Sequence, residues 1–183
     1  MNSRRAIFGF AIAATFSGAA GTACADPAFD AFRQLCIATG ADYPAVVAAA
    51  DAAGWKPIDV TIMTMKGVAV SDKLTRGRTI AGGDATLSAW RGTAPPNAVS
   101  TCTVKLSKGA FAAARTSVQA WAGFAPQDSS GQKAVFRFTQ MGAAPRPLAA
   151  SDFDSAAAAA GLEILTITGG SGGVNLDLVR IKK

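Results

Sequence analysis

The 183-residue chain contains no histidine, one tyrosine and three cysteines. Acid is scarce as well: Glu163 is its one glutamate, and the remaining acids are scattered aspartates. Without histidine the commonest general base is missing, and with it the usual base of serine and cysteine triads and the usual zinc or copper ligand. Histidine-dependent hydrolases and metalloenzymes are thereby excluded. Catalysis by paired carboxylates needs two acids in unlike environments about 5–10 Å apart. The aspartates read better as structural residues, with Asp26, Asp42 and Asp154 where helices begin and Asp72, Asp84 and Asp128 where the chain turns. Long apolar runs are lacking too. The N-terminal stretch Ala6–Phe16, diluted by Gly9 and Thr15, is far shorter than the roughly 20 residues a membrane-spanning helix requires.

What is present begins with an export address. Arg4 and Arg5, the apolar stretch, and small residues ending in Ala23-Cys24-Ala25 have the three-part layout of a cleavable signal peptide over residues 1–25. The expected product is a single domain, 26–183, in the periplasm or secreted. Ser3-Arg4-Arg5-Ala6-Ile7-Phe8 resembles a twin-arginine signal, with Ile7 where that pattern prefers Phe. Gly21-Thr22-Ala23 lacks the Leu that precedes a lipidated cysteine, so cleavage after Ala25 is preferred to lipidation of Cys24. Cleavage discards Cys24 and leaves Cys36 and Cys102, which an oxidising compartment pairs as a disulfide; two buried free thiols are the alternative. Ordinary secretion is the favoured route, because a twin-arginine substrate folds first and would close its bridge late. Losing Arg4 and Arg5 leaves 16 basic against 12 acidic residues, a net charge of +4 in place of +6. That is too mild for a nucleic-acid footprint. Lys66, Lys73, Arg76, Arg78 and Arg91 are the nearest approach to a patch and read as a solvated surface.

Hydrophobic spacing orders the rest. Asp26-Pro27 starts a helix carrying Phe29, Phe32 and Cys36, and Asp42 caps a second with Val46, Val47, Ala50 and Ala53, ending at Gly54 before Trp55. Ile58, Val60 and Ile62 alternate as in a half-buried strand. Val68–Val70, Arg78–Ala81 and Ala85–Arg91 read as short strands between turns, and Val99–Leu106 as a strand holding Cys102. Ser107 is the expected cap of a helix with Phe111, Ala114, Val118 and Trp121 that closes at Gly123. A strand over Lys133–Met141 follows the polar loop Pro126–Gln132, and Pro145-Arg146-Pro147 ends that unit. Ser151 opens a last helix with Asp154 as its capping partner, and Leu162–Thr168 and Val174–Lys182 form a hairpin around Gly169–Gly173. The expected class is α+β, in the order ααβββαβαββ. Its sheet is antiparallel or mixed, with helices on one face and one disulfide.

The sequence names no reaction. Ser71-Asp72-Lys73 and Ser107-Lys108 bring serine–lysine chemistry together without the Ser-x-x-Lys spacing. Gly169–Gly173 has no following Lys-Ser/Thr and is not a phosphate loop. Trp55 and Trp121 are expected at a helix end and in the core, while Trp90, alternating with Thr86 and Ser88, is expected to be exposed. Trp90 with Arg91 is therefore the candidate binding surface. The expected function is a non-enzymatic exported domain that binds a protein or an envelope component, or serves as an accessory subunit. It would use no cofactor, metal or nucleic acid, and would have no membrane span after cleavage. The alternative is a histidine-independent envelope hydrolase using Asp, Ser or Lys.

Overall fold

In the computed structural model, which describes residues 26–61, 65–141, 144–159 and 161–183, the first helix forms as its cap dictates. The Asp26 carboxylate accepts a hydrogen bond from the Phe29 amide at 2.8 Å, and Pro27 fills the first helical position. The expected signal peptide, residues 1–25, lies outside the described residues. Helix α1 (Pro27–Phe32) runs on into a π-helical turn, Arg33–Ile37, that buries Leu35, Cys36 and Ile37 in succession. Asp42 caps α2 (Tyr43–Ala52) through the Ala45 amide. Among the described residues no helix is long and apolar enough to cross a membrane.

Among the described residues one antiparallel sheet of nine strands carries the rest. Its strands are β1 (Lys56–Pro57), β2 (Ala69–Ile80), β3 (Gly83–Ala94), β4 (Asn97–Leu106), β5 (Asp128–Ser130), β6 (Lys133–Met141), β7 (Ala144–Pro147), β8 (Leu162–Gly170) and β9 (Gly173–Lys182). In space they run β1-β2-β3-β4-β9-β8-β6-β5, with β7 also on β6. The strand order differs from the expected one in four places. Residues 58–61 are not a strand; pairing stops after Pro57. The segment between Ala69 and Ala94, expected as short pieces, is one long hairpin, because Ala81-Gly82 turns it tightly between Ile80 and Gly83. The loop after Pro126 contributes β5, and the Pro145–Pro147 unit adds an edge strand, where proline's missing donor costs no ladder bond.

The helix ends differ too. Helix α3 (Phe111–Ala122) has Ala110 at its start, since the Ser107 hydroxyl instead accepts from the Asp84 amide of the neighbouring turn at 3.1 Å. Ala150–Asp152 is a 3₁₀ turn leading into α4 (Phe153–Ala159), so the Ser151–Asp154 box does not form.

Strand alternation sorts the sheet into two faces. Leu87, Cys102, Val104, Leu176, Leu178, Leu165, Ile167, Phe136 and Phe138 lie on the inner face and pack with Phe29, Phe32, Val46, Ala114 and Val118 from α1, α2 and α3. Trp121 joins them, edge-on to Phe138 at 5.6 Å. Helix α4 departs from the expected single helical face. Its Phe153 ring meets Arg137, which alternates with the inward Phe136 and Phe138 and so faces outward. Cys36 and Cys102, both fully buried, form the disulfide, which ties the π-turn to β4 at a Cα separation of 5.4 Å. Trp55 is buried at the end of α2.

Candidate functional site

Register places Arg91 of β3 opposite Ser100 of β4, and Ser100 opposite Arg180 of β9. All three therefore share the inner face, in one row across three strands. The next row outward is Thr93, Ala98 and Lys182. The helices stop short of this end of the sheet and leave a pocket of about 310 Å³ lined by both rows. Its far wall is the turn between the π-turn and α2. There Gly40 and Ala41 take φ of +59° and +53° in succession, a conformation that alanine adopts only at a cost. This turn brings the Gly40 carbonyl to Arg180 Nη1, which donates to it at 3.1 Å, and sets Asp42 and Tyr43 on the rim. A bulge in β2 between Val70 and Asp72 adds Ser71, whose hydroxyl donates to the Arg91 carbonyl at 3.3 Å.

Each cation here is held differently. Arg91 lies over the Tyr43 ring, 5.7 Å from its centroid, and donates from Nε to Asp72 at 2.6 Å. That hydrogen bond lowers the Asp72 carboxyl from its usual value and raises the Arg91 guanidinium. Arg180 Nε lies 3.4 Å from Glu163 Oε1 without making a hydrogen bond. Glu163 is 2% exposed, and its second oxygen has no partner. Burial raises its carboxyl above the usual glutamate value, and the attraction of Arg180 and Lys182 only partly opposes that. The pocket thus has three cations in its lining and one acid, Asp42, whose carboxylate serves the α2 cap.

The chain matches no family model, no curated protein and no solved structure. Its chemistry rests on its own residues.

Trp90 and Arg91 do not form one surface. They are consecutive on a strand and point to opposite faces: Arg91 into the pocket, Trp90 onto the outer face. Nor is Trp90 exposed. At 5% accessibility it packs with Val99 and Val179 and is flanked by Val68 and Val70, because the chain entering β2 folds over it. The outer face holds a second groove of about 540 Å³ with a floor of Thr86, Ser88, Thr101, Thr103 and Asp177. Thr103 donates to Asp177, whose carboxyl is raised by burial. The expected basic patch is dispersed: Arg76 pairs with Asp51, Arg78 donates to the Ala53 carbonyl, and Arg91 pairs with Asp72.

Ser71 and Ser107 hydrogen-bond to backbone groups of neighbouring elements, and among the described residues neither hydrogen-bonds to a lysine. Among the described residues no three metal-ligating side chains converge. The sequence reading missed Ser100, Arg180, Lys182 and Gly40. The two-residue turn Pro95-Pro96 sets Ala94 opposite Asn97, and hence Arg91 opposite Ser100. Arg180 and Lys182 join only through pairing of β4 with β9, which no local signal announces.

Proposed function

We propose that the chain is an exported, non-catalytic binding domain that engages a component of the cell envelope through the pocket at Arg91, Ser100 and Arg180. The observation that carries this reading is the row itself: two guanidiniums and a hydroxyl in register on one face, opening into one pocket. No paired nucleophile and base lies among them. Such a site offers donors for recognition and no group to activate a substrate. Export rests on the residue pattern of 1–25, and the buried disulfide is compatible with an oxidising compartment. Titration of isotope-labelled protein with fractionated envelope material tests it. Amide shifts gathering at Tyr43, Arg91 and Ser100, with the added material chemically unaltered, are the expected result. Turnover of any fraction, or shifts confined to other surfaces, would overturn it.

A second reading, a histidine-independent hydrolase, has one observation in its favour. The Thr103 hydroxyl donates to the raised Asp177 carboxyl in the outer groove, with Lys105 beside them. Hydrolysis abolished by Asp177→Asn would establish it.

A further inference from the structure

We propose that the pocket takes a phosphate monoester, its phosphate held between Arg91 and Arg180 and capped by Ser100 and Lys182. This rests on the pocket being the binding site and adds the class of ligand.

Three arguments lead there. The first is charge. Arg91, Arg180 and Lys182 line the pocket against a single acid, Asp42, whose Oδ2 accepts from the Ala45 amide. An anion is the occupant this lining complements. The second is donor supply. Arg91 uses Nε on Asp72 and keeps its terminal nitrogens, while Arg180 buries Nε against Glu163, gives Nη1 to the Gly40 carbonyl and keeps Nη2. Glu163 is a poor competitor for those donors. It sits buried behind Arg180 with one oxygen unpartnered, and its carboxyl is held towards the neutral form.

The third argument is spacing. Two strand-to-strand steps separate Arg91 from Arg180, about 10 Å at the backbone. An oxyanion with hydrogen bonds of about 2.8 Å on either side spans roughly 8 Å from donor to donor, within reach of two inclined arginine side chains. A carboxylate has two oxygens for this and leaves the corner at Ser100 and Lys182 empty. A phosphate monoester has three free oxygens and fills it. Its organic part would lie against Tyr43 and Thr93, and the volume of about 310 Å³ admits a body the size of a phenyl ring.

The test is calorimetric titration of the purified full chain with phenyl phosphate, inorganic phosphate and benzoate at matched ionic strength. Vesicles containing phosphatidic acid serve as the arm for a lipid source. Phenyl phosphate should bind saturably, with benzoate at least about tenfold weaker. Lys182→Gln and Ser100→Ala should each weaken phenyl phosphate about tenfold with an unchanged denaturation midpoint, while Lys133→Gln, at an exposed residue that starts β6 far along the sheet, should leave it alone. Vesicle flotation with the same dependence on Lys182 places the phosphate on a lipid; binding of the small esters alone places it on a soluble molecule. Equal affinity for benzoate, equal effects of the Lys133 and Lys182 variants, or no saturation overturns the proposal. If phenyl phosphate fails while envelope fractions still shift Tyr43 and Ser100, the ligand class is wrong and the pocket stands. If neither moves them, both readings fall.

Discussion

Replacing Cys36 and Cys102 by alanine removes a bridge that closes 66 residues of sequence. In the chain-entropy treatment a loop of that length confines the denatured chain by about 4 kcal/mol at 25 °C. Both sulfurs are fully buried, so their loss adds about 1–2 kcal/mol of missing packing on the folded side. Against a stability of about 5–15 kcal/mol for a typical domain, the variant should stay folded with a much reduced margin. Its melting temperature should fall by roughly 10–20 °C at this chain length. Guanidinium denaturation followed by tryptophan emission reads the free energy, and intact mass confirms the oxidised state of the parent. The slope with denaturant should rise in the variant, because an uncrosslinked chain exposes more surface. A loss under about 1 kcal/mol with an unchanged slope would refute the reasoning, since the denatured chain would then be confined by something other than the bridge. Hydrogen exchange adds a local check. The π-turn holds Cys36 and residues 38–42 come soon after it, so their amides should lose protection before those of the β8–β9 hairpin.

Other outcomes follow from single groups. Glu163 has a folded pKa above its usual 4.5, so its protonated form suits the fold; stability is fully present below pH 4.5 and lost as pH rises through the folded value. Glu163→Gln should therefore gain on the parent with rising pH, by up to about 1.4 kcal/mol per unit, in denaturation series from pH 4 to 8; a constant gap would sink the assignment. Gly40→Ala places a Cβ 2.6 Å from Arg180 Nη1 at a positive φ, and should cost about 1–3 kcal/mol in the denaturation midpoint. Phe138→Ala empties a fully buried site beside Trp121 and should cost about 3–5 kcal/mol, with a change in tryptophan emission. In a Trp55→Phe, Trp121→Phe background, Trp90 should emit at short wavelength and resist acrylamide; ready quenching would contradict its burial.

Local chemistry made much of the fold legible. Asp26 and Asp42 marked their helices because a short acid before a proline-bearing first turn satisfies amides that nothing else reaches. Lys133–Met141 and the C-terminal hairpin were readable from period-two alternation and a glycine turn. The β2–β3 hairpin was obscured because β2 alternates only weakly, with Leu74 its one buried residue. The pairing of Cys36 with Cys102 followed from both lying on apolar stripes. Trp90 misled because a polar strand face reads as exposed, and the cover provided by Val68 and Val70 comes from another segment. Residues 58–61 misled for the opposite reason, since their alternation continues past Pro57 where the β1–β2 ladder ends. The pocket was the least legible feature, as its row joins residues from three strands, two of them paired across half the chain.

That row also fixes where the site is vulnerable to change in length. Arg91, Ser100 and Arg180 share a face only because the Pro95-Pro96 turn holds its count of two and β9 follows in step. Deleting one residue from that turn, with the strands pairing as before, would exchange inward and outward positions along the slipped strand. The basic pocket and the threonine groove on the far side would then trade residues without any side chain having been substituted. Related chains should consequently keep the length of this hairpin more strictly than the identity of the residues in it.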